Sequence, residues 1–242
     1  MSGHSHFSTI KRKKEVTDKK RGQMFSRLAR VITVAAKEKG GDPETNPGLR
    51  LAIEKAKEFN MPKDNIERAI KKGTGELAGE ELHEVVFEAY GPGGTALIIE
   101  GITDNKNRTL GDIKLAISQH NGKLANEGSV RWMFERKGCI TINLTSQNKN
   151  TEELELLAID AGAQDVKQQG EMLDIYTNPD DLDKIRKSLA EKGIVAESTS
   201  LDWVAKEEIS IDETSKKACE KLFEALDEVD AVQNIYSNLK TE

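Results

Sequence analysis

Cysteine, aromatic side chains and long apolar runs are all scarce in this sequence of 242 residues. The two cysteines, Cys139 and Cys219, form neither a C-x-x-C pair nor a disulfide framework, which favours a reducing setting. No window approaches the roughly 20 apolar residues that a membrane helix needs, and the polar, basic first residues give no secretory signal. We therefore expect a cytoplasmic protein with no membrane among its partners.

Sequence signatures of common enzymes are also absent. No stretch matches the phosphate-binding loop G-x-x-x-x-G-K-[ST], the nucleophile elbow G-x-S-x-G or the zinc motif H-E-x-x-H. The glycine-rich "GPGG" at 91–94 lies between two predicted strands and opens no helix, which favours a hairpin turn. The sequence therefore predicts a protein that is not an enzyme, with no catalytic residue, metal, cofactor or small-molecule substrate.

Positive charge is concentrated at one end of a chain whose net charge is −6. Residues 1–75 hold 18 Lys and Arg against 9 Asp and Glu, whereas residues 76–242 hold 18 against 33. Seven cations fall between positions 11 and 21: Lys11, Arg12, Lys13, Lys14, Lys19, Lys20 and Arg21. Lys and Arg neutralise phosphates and release counterions, so the asymmetry indicates a nucleic-acid partner. A solvated helical face is the alternative.

The candidate nucleic-acid contacts extend to both sides of this cluster. Arg27 and Arg30 follow it on the predicted first helix, and the ring of Phe7 can stack on a base or tether the segment to the domain. No zinc-finger, homeodomain or RNA-recognition signature is present, so phosphate contact is predicted rather than base readout. The full predicted set is His4, Phe7, Lys11, Arg12, Lys13, Lys14, Lys19, Lys20, Arg21, Arg27 and Arg30.

A second contact in the cleft between domains is a weaker hypothesis. It would use the loops "YGPGG" at 90–94 and "DNKNR" at 104–108, the latter carrying Lys106 and Arg108. For both loops, turn geometry alone is the favoured interpretation.

Three short amphipathic helices are predicted before residue 76. The first begins near Thr17, Asn46 caps the second, and Pro62 starts the third. Their apolar faces contain Met24, Phe25, Leu28, Val31, Ile32 and Ala35, then Leu49, Ala52, Ile53, Ala56 and Phe59, then Ile66, Ala69 and Ile70. The polar, Gly-rich "GTGELAGEE" at 73–81 marks the end of this helical domain.

Strands and helices mix in two similar units after this linker. In the first unit, strands at 85–90 and 95–103 precede a helix whose apolar face holds Leu110, Ile113, Ala116 and Ile117. The segment 129–144 is predicted as one or two strands, and so is 194–205. The second unit starts with a helix at Thr151, and the chain closes with a helix and a last strand at 231–239. This mixture predicts an α+β fold.

Five stretches of the sequence are distinctive: "GHSHFSTIK", "KRGQMFSRLARVITVAAKEKGGDPETNPGLRLAIEKAKEFNMPKDNIERAIKKGTGE", "EAYGPGGTALIIEGITDNKNRT", "GSVRWMFERKG" and "VQNIYSNL". They resemble the hallmark sequences of the YebC/PmpR family, and the likeness covers essentially the whole chain. The resemblance implies three domains: an N-terminal three-helix domain at 1–78 and two α+β, ferredoxin-like domains. The middle one is discontinuous, at 79–136 and 207–242, and receives the C-terminal strand; the other is inserted at 137–206.

The resemblance also implies a function in gene expression. Family members are described as DNA-binding transcriptional regulators, which is the lead hypothesis. Relatives that include a mitochondrial translational activator of cytochrome oxidase imply the alternative, a ribosome-associated translation factor that contacts ribosomal or messenger RNA. A third hypothesis from the residues alone is an adaptor whose acidic lobes bind a basic partner. The sequence leaves the oligomeric state open.

Overall fold

The computed structural model describes residues 18–240, with side chains from Arg21 onward. Its first part is a bundle of three helices: α1 (Asp18–Lys39), α2 (Pro47–Glu58) and α3 (Lys63–Gly73). The predicted apolar faces meet in one core, although Phe25, Val31, Ala35, Ile53, Phe59 and Ile70 are only partly buried. The buried members include Met24, Leu28, Ile32, Leu49, Ala52, Ala56, Ile66 and Ala69.

One buried side chain, Asn46, fixes the turn between α1 and α2. Its Oδ1 accepts a hydrogen bond from the backbone N–H of Leu49 at 3.0 Å, as predicted for the cap of α2. Its amide donates to the carbonyls of Ala35 at 2.8 Å and Gly40 at 2.9 Å. The cap of one helix therefore also binds the C-terminal end of the preceding helix.

The remaining elements build two lobes. In chain order they are β1 (His83–Tyr90), β2 (Ala96–Thr103), α4 (Lys106–Gln119), β3 (Lys123–Leu124), β4 (Phe134–Asn143), α5 (Thr151–Asp160), β5 (Asp165–Gln169), β6 (Met172–Thr177), α6 (Leu182–Glu191), β7 (Ser198–Ala205), α7 (Glu213–Asp227) and β8 (Val232–Ser237).

The first lobe is an antiparallel sheet in the order β3-β1-β2-β8, packed against α4 and α7. The last strand of the chain, β8, pairs with β2, with Leu97 opposite Ser237. The core between sheet and helices is aliphatic and includes Leu97, Ile99, Ile113, Ile117, Leu222, Leu226 and Val232. Sequence-distant segments therefore complete a single core.

The second lobe is an antiparallel sheet in the order β5-β6-β4-β7, packed against α5 and α6. Its core includes Ile140, Ile142, Leu154, Leu173, Ile175, Leu182, Ile185 and Leu189. Helices and antiparallel sheets in both lobes confirm the α+β class predicted from the sequence.

Two local expectations need correction or refinement. Leu110 of α4 was predicted to face the core but is 39% exposed, because Thr109 takes the buried position and its hydroxyl bonds that of Thr103 at 2.8 Å. The segments 129–144 and 194–205, for which one or two strands were expected, each contain one. In the first of them, a 3-10 turn at Arg131–Met133 precedes β4.

A polar cluster joins the two lobes at Glu100 of β2. One carboxylate oxygen accepts hydrogen bonds from Arg136 at 2.7 Å and from the Trp203 indole at 2.9 Å. The other oxygen accepts from Asn234 at 3.3 Å and Tyr236 at 3.1 Å. The Arg136 guanidinium also lies 5.2 Å from the centre of the Trp203 ring, within cation–π range. One carboxylate thus bonds side chains from both sheets.

A second carboxylate, Glu88 of β1, is buried and organises the loop that leads to β4. Its oxygens accept from the backbone N–H groups of Gly128 at 2.7 Å, Val130 at 2.5 Å and Arg131 at 2.9 Å. Burial alone raises the pKa of Glu88, but these three donors and Arg131 outweigh it and bring the pKa below the ordinary 4.5. The carboxylate therefore stabilises the loop in its ionised form.

The N-terminal bundle contacts the second lobe through charged pairs between α2 and α6. Arg50 bonds the carboxylate of Asp183, and Arg186 bonds that of Glu54 at 3.1 Å. Arg186 also reaches Asp183 at 3.3 Å, so the four side chains form a connected network. Within residues 18–240, no helix combines the length and apolarity needed to cross a bilayer.

Candidate nucleic-acid interface

Part of the predicted contact set lies outside the described residues, namely His4, Phe7, Lys11, Arg12, Lys13 and Lys14. Lys19 and Lys20 belong to α1, but their side chains also fall outside the described part of the chain. The contact residues with described side chains are Arg21, Arg27 and Arg30. Arg21 is exposed near the start of α1.

Arg27 lies in a different environment from the one predicted. Its side chain is 7% exposed, and its guanidinium bonds the Asp227 carboxylate at 3.0 Å. It also donates to the backbone carbonyls of Asp227 and Val229, where α7 ends. Carbonyls at a helix C-terminus lack partners within the helix and accept from cationic side chains. Arg27 therefore ties α1 to the first lobe, and we remove it from the candidate phosphate contacts.

Arg30 remains a candidate because it is only partly buried. One of its guanidinium nitrogens donates to the Asp230 carbonyl at 2.7 Å, which holds the side chain in place. A guanidinium carries five N–H donors, so others remain for a ligand. Arg30 lines a surface groove between α1 and α3.

The groove has a volume of about 340 Å³ and three sides. The first side is a stripe of α1, the second is a stripe of α3, and the third is the linker at 79–82. Leu77 donates its N–H to the Lys71 carbonyl at 3.1 Å, which folds the linker back on α3. The lining residues are Phe25, Ser26, Ala29, Arg30, Thr33, Met61, Asn65, Arg68, Ala69, Lys72, Gly79, Glu80 and Leu82.

Close packing at one end of the two helices leaves the groove open further along. At Gly73 an added Cβ would lie 2.4 Å from the Thr33 carbonyl oxygen and 2.7 Å from Ala36 Cβ, so only glycine permits this approach. The Thr33 hydroxyl donates to the Ala69 carbonyl at 3.1 Å one turn earlier. These contacts fix α1 against α3 and so fix the width of the groove.

The groove is electropositive. Its described lining contains three cations, Arg30 on the α1 wall and Arg68 and Lys72 on the α3 wall. Glu80 on the linker is the one carboxylate among these lining residues. Arg68 and Lys72 are four positions apart on α3 and therefore share a helix face. Sequence reasoning missed these two cations because they lie outside the dense cluster. The stripe Asn65, Arg68 and Lys72 was the available signal.

The two loops proposed as a second contact have structural roles. In "YGPGG", Gly93 has a φ of 67°, and a Cβ there would lie 2.9 Å from the Ile211 side chain, so the turn is packed on the region before α7. In "DNKNR", Asn105 caps α4 through the Arg108 N–H at 3.1 Å, and Arg108 pairs with Asp104 at 2.6 Å. The side chains of Lys106 and Arg108 are exposed. Turn geometry accounts for both loops.

A second cavity, of about 360 Å³, lies between α2 and the second lobe but has an acidic lining. Glu54, Glu58, Asp174 and Asp202 line it, against the cations Lys55 and Arg186. Burial raises the pKa of Asp202 above its ordinary value, although Lys55 and a hydrogen bond from Ser200 oppose this. The surplus of carboxylates disfavours a phosphate ligand here. Among the residues that the structure describes, no three His, Cys, Asp or Glu side chains are grouped to hold a metal ion.

Comparison with known proteins covers nearly the whole chain. Residues 5–76 match the profile described as "TACO1/YebC protein N-terminal domain", and residues 82–239 match "TACO1/YebC second and third domain". A protein of Halothermothrix orenii is 49% identical over 240 residues, which cover 98% of this chain and 94% of that protein. One of Pseudothermotoga lettingae is 47% identical over 242 residues, covering 100% and 95%. Both are named "Probable transcriptional regulatory protein".

A solved structure shares the fold. The crystal structure of a conserved hypothetical protein from Aquifex aeolicus superposes with a TM-score of 0.85 at 42% sequence identity. The superposition covers 92% of this chain and 91% of the other. The two profiles, the relatives and this structure agree with the resemblance found in the sequence, and the chain belongs to the TACO1/YebC family.

Proposed function

We propose that this protein binds nucleic acid through its N-terminal domain and regulates gene expression, with DNA-binding transcriptional regulation as the leading form. The observation that carries the proposal is the electropositive α1–α3 groove, with Arg30, Arg68 and Lys72 around it. The groove belongs to the same domain as the seven cations between Lys11 and Arg21. The names of the relatives point in the same direction.

The charge of the remaining chain restricts how a nucleic acid approaches. Residues 76–242 carry a surplus of 15 acidic side chains, 33 against 18 basic ones. Such a surface repels a phosphate backbone at close range. The nucleic acid therefore meets the N-terminal domain, and the acidic lobes face away from it.

The proposal involves binding and no catalytic step, and it needs no cofactor. It places the protein in the cytoplasm, where bacterial chromosomes and ribosomes are both accessible. It also retains the domain division at 1–78, 79–136 with 207–242, and 137–206. The pairing of β8 with β2 supports the discontinuous middle domain.

A second candidate function is translation on the ribosome, with ribosomal or messenger RNA as the ligand. The observation that favours it is the aromatic side chain of Phe25 in the groove wall. Unpaired RNA bases stack on aromatic rings, and sequence-specific RNA recognition targets single-stranded loops and ends.

Crosslinking in cells, followed by sequencing of bound DNA and bound RNA, separates the two candidates. Enrichment of promoter DNA supports transcriptional regulation, and enrichment of ribosomal RNA supports the translation factor. If neither DNA nor RNA is enriched, the result contradicts the proposal and favours a protein–protein adaptor.

Salt titration of the purified protein tests the binding mode. If the N-terminal cations engage about six phosphates, log K on duplex DNA falls with log salt at a slope near −5. Replacement of Lys13, Lys14, Lys20 and Arg21 by Glu is expected to weaken binding to every sequence and flatten that slope. An unchanged slope in this variant would show that the basic segment is only a solvated face.

A further inference from the structure

We infer that the α1–α3 groove is a phosphodiester-binding site that holds one nucleic-acid strand between Arg30 on one wall and Arg68 and Lys72 on the other. The inference rests on the proposed function and deepens it, because it assigns a site and a strand-level ligand to a domain for which only net charge indicated binding. It also moves part of the contact surface from the first helix to the third.

The arrangement of cations across the groove is the first argument. Arg30 stands on α1, whereas Arg68 and Lys72 stand four positions apart on α3. A ligand in the groove is therefore approached by positive charge from both walls. A phosphodiester carries a negative charge at every residue of the strand, which suits cations spaced along a channel.

The availability of these cations is the second argument. Within the described residues, Arg68 and Lys72 make no salt bridge, although other lysines on or near α3 do: Lys63 pairs with Glu67 at 3.4 Å and Lys37 with Glu81 at 3.8 Å. Arg30 is held by the Asp230 carbonyl at 2.7 Å and pairs with no carboxylate of the described chain. Three cations that pair with no carboxylate among residues 21–240 leave a charge surplus in the groove that an anionic ligand can satisfy.

The size and lining of the groove favour a strand over a duplex. About 340 Å³ matches the small end of ligand pockets and fits a short segment of one strand. Phe25 supplies an apolar surface next to the cations, and Ser26 and Asn65 supply hydrogen-bonding groups. Single-strand sites combine such a cationic track with an aromatic side chain on which bases stack.

The test compares variants of the full-length protein by fluorescence anisotropy on a labelled 12-nucleotide strand. For the double variant Arg68→Gln/Lys72→Gln, we expect the slope of log K against log salt to become shallower by about 1.4, since each phosphate contact on a single strand contributes about 0.7. Glu80→Gln is expected to tighten binding, because it removes the carboxylate in the groove. Thermal unfolding verifies that the exposed substitutions leave the fold intact.

The single variant Lys72→Gln is measured as well, and Lys71→Gln is its matched control. Lys71 adjoins Lys72 at the same helix end and is exposed, but it does not line the groove. Its loss changes the net charge as much as loss of Lys72, so a smaller effect of Lys71→Gln isolates the groove from general electrostatics. DNA and RNA strands of one sequence separate the two sources of the backbone, and inorganic phosphate as competitor tests whether a free anion suffices.

Three results would overturn the inference. Equal effects of Lys71→Gln and Lys72→Gln on binding would show that net charge, and not the groove, accounts for the affinity. The double variant could keep the wild-type salt slope while the charge reversal of Lys13, Lys14, Lys20 and Arg21 abolishes binding. That result would show that the groove is not the binding site and would leave the proposed function intact. If the wild-type protein binds neither single strands nor duplexes, both the groove site and the proposed function are wrong.

Discussion

Arg27 and Arg30 lie one turn apart on α1, yet the structure gives them different tasks. Arg27 is buried against the end of α7, whereas Arg30 reaches the groove and keeps donors for a ligand. In the sequence both belong to one basic stripe. The distinction arises because α1 packs against a second domain on the Arg27 side, which a helical periodicity alone does not show.

Arg27→Gln is expected to lower the free energy of unfolding by about 2–4 kcal/mol, because it removes a buried guanidinium that bonds the Asp227 carboxylate and the carbonyls of Asp227 and Val229. Urea denaturation measures the change. The salt slope of nucleic-acid binding is expected to stay as in the wild type. Lys37→Gln is the control, since Lys37 is about half exposed and its pair with Glu81 spans 3.8 Å. If Arg27→Gln flattened the salt slope and left stability unchanged, the structural role assigned to Arg27 would be wrong.

Glu88→Gln is expected to destabilise the protein by about 1–3 kcal/mol at pH 7, because an amide offers one acceptor oxygen where the carboxylate bonds three N–H groups. The folded-state pKa of Glu88 lies below its ordinary 4.5, so the stabilisation is present above about pH 4.5 and is lost as the pH falls through the folded-state pKa. The stability difference between wild type and variant should therefore shrink below pH 4.5.

Denaturant titrations between pH 7 and pH 3 check the Glu88 expectation. Glu135→Gln serves for comparison, since Glu135 is 55% exposed and its ion pair with Lys137 spans 3.4 Å. A gap between wild type and Glu88→Gln that widens on acidification would show that Glu88 is protonated in the folded state.

At the scale of elements, the sequence predicted the helices of the bundle, the hairpin and both α+β units, because their apolar spacings and turn residues are local signals. The prediction that Leu110 faces the core was wrong, because Thr109 takes the buried position and its hydroxyl donates a hydrogen bond to that of Thr103. The sequence did not predict the groove. In the sequence, Arg68 and Lys72 are indistinguishable from ordinary surface charges. They line a groove only because α1 and α3 pack together at Thr33, Ala36 and Gly73.

Deletion of residues 1–15 is expected to leave the melting temperature within about 2 °C of the wild type, because the buried core residues that the structure describes in the bundle, from Met24 onward, all lie beyond the deletion. Differential scanning calorimetry measures the change, with the full-length protein as reference. Loss of a cooperative transition would assign the first residues a structural role. Binding to nucleic acid should weaken in the same variant.

At the scale of the whole molecule, the N-terminal bundle is attached to both lobes by separate charged contacts. Arg27 and Arg30 bind residues 227–230 of the first lobe, and Arg50 and Glu54 bind Asp183 and Arg186 of the second. The two attachments use different helices, α1 and α2. The position of the groove relative to the acidic lobes therefore depends on two independent sets of contacts.

Asp183→Asn is expected to loosen the second attachment alone, since Arg50 and Arg186 both lose an anionic partner. We expect hydrogen exchange in α2 and α6 to accelerate about fivefold, equivalent to about 1 kcal/mol, while α7 keeps its protection. Asp180→Asn is the control, an exposed carboxylate in the turn before α6. Faster exchange in α7 as well would show that the two attachments are coupled.

The pairing of β8 with β2 has a consequence for the order in which the protein is made. Strands β4 to β7 follow one another in the chain, so their sheet is complete while the C-terminus is still being synthesised. The earlier sheet lacks its edge strand until residue 237 has left the ribosome. Since domains fold as units during synthesis, the later-encoded lobe is expected to mature first, and a chain stopped before Val232 would expose the apolar edge of β2 to other nascent chains.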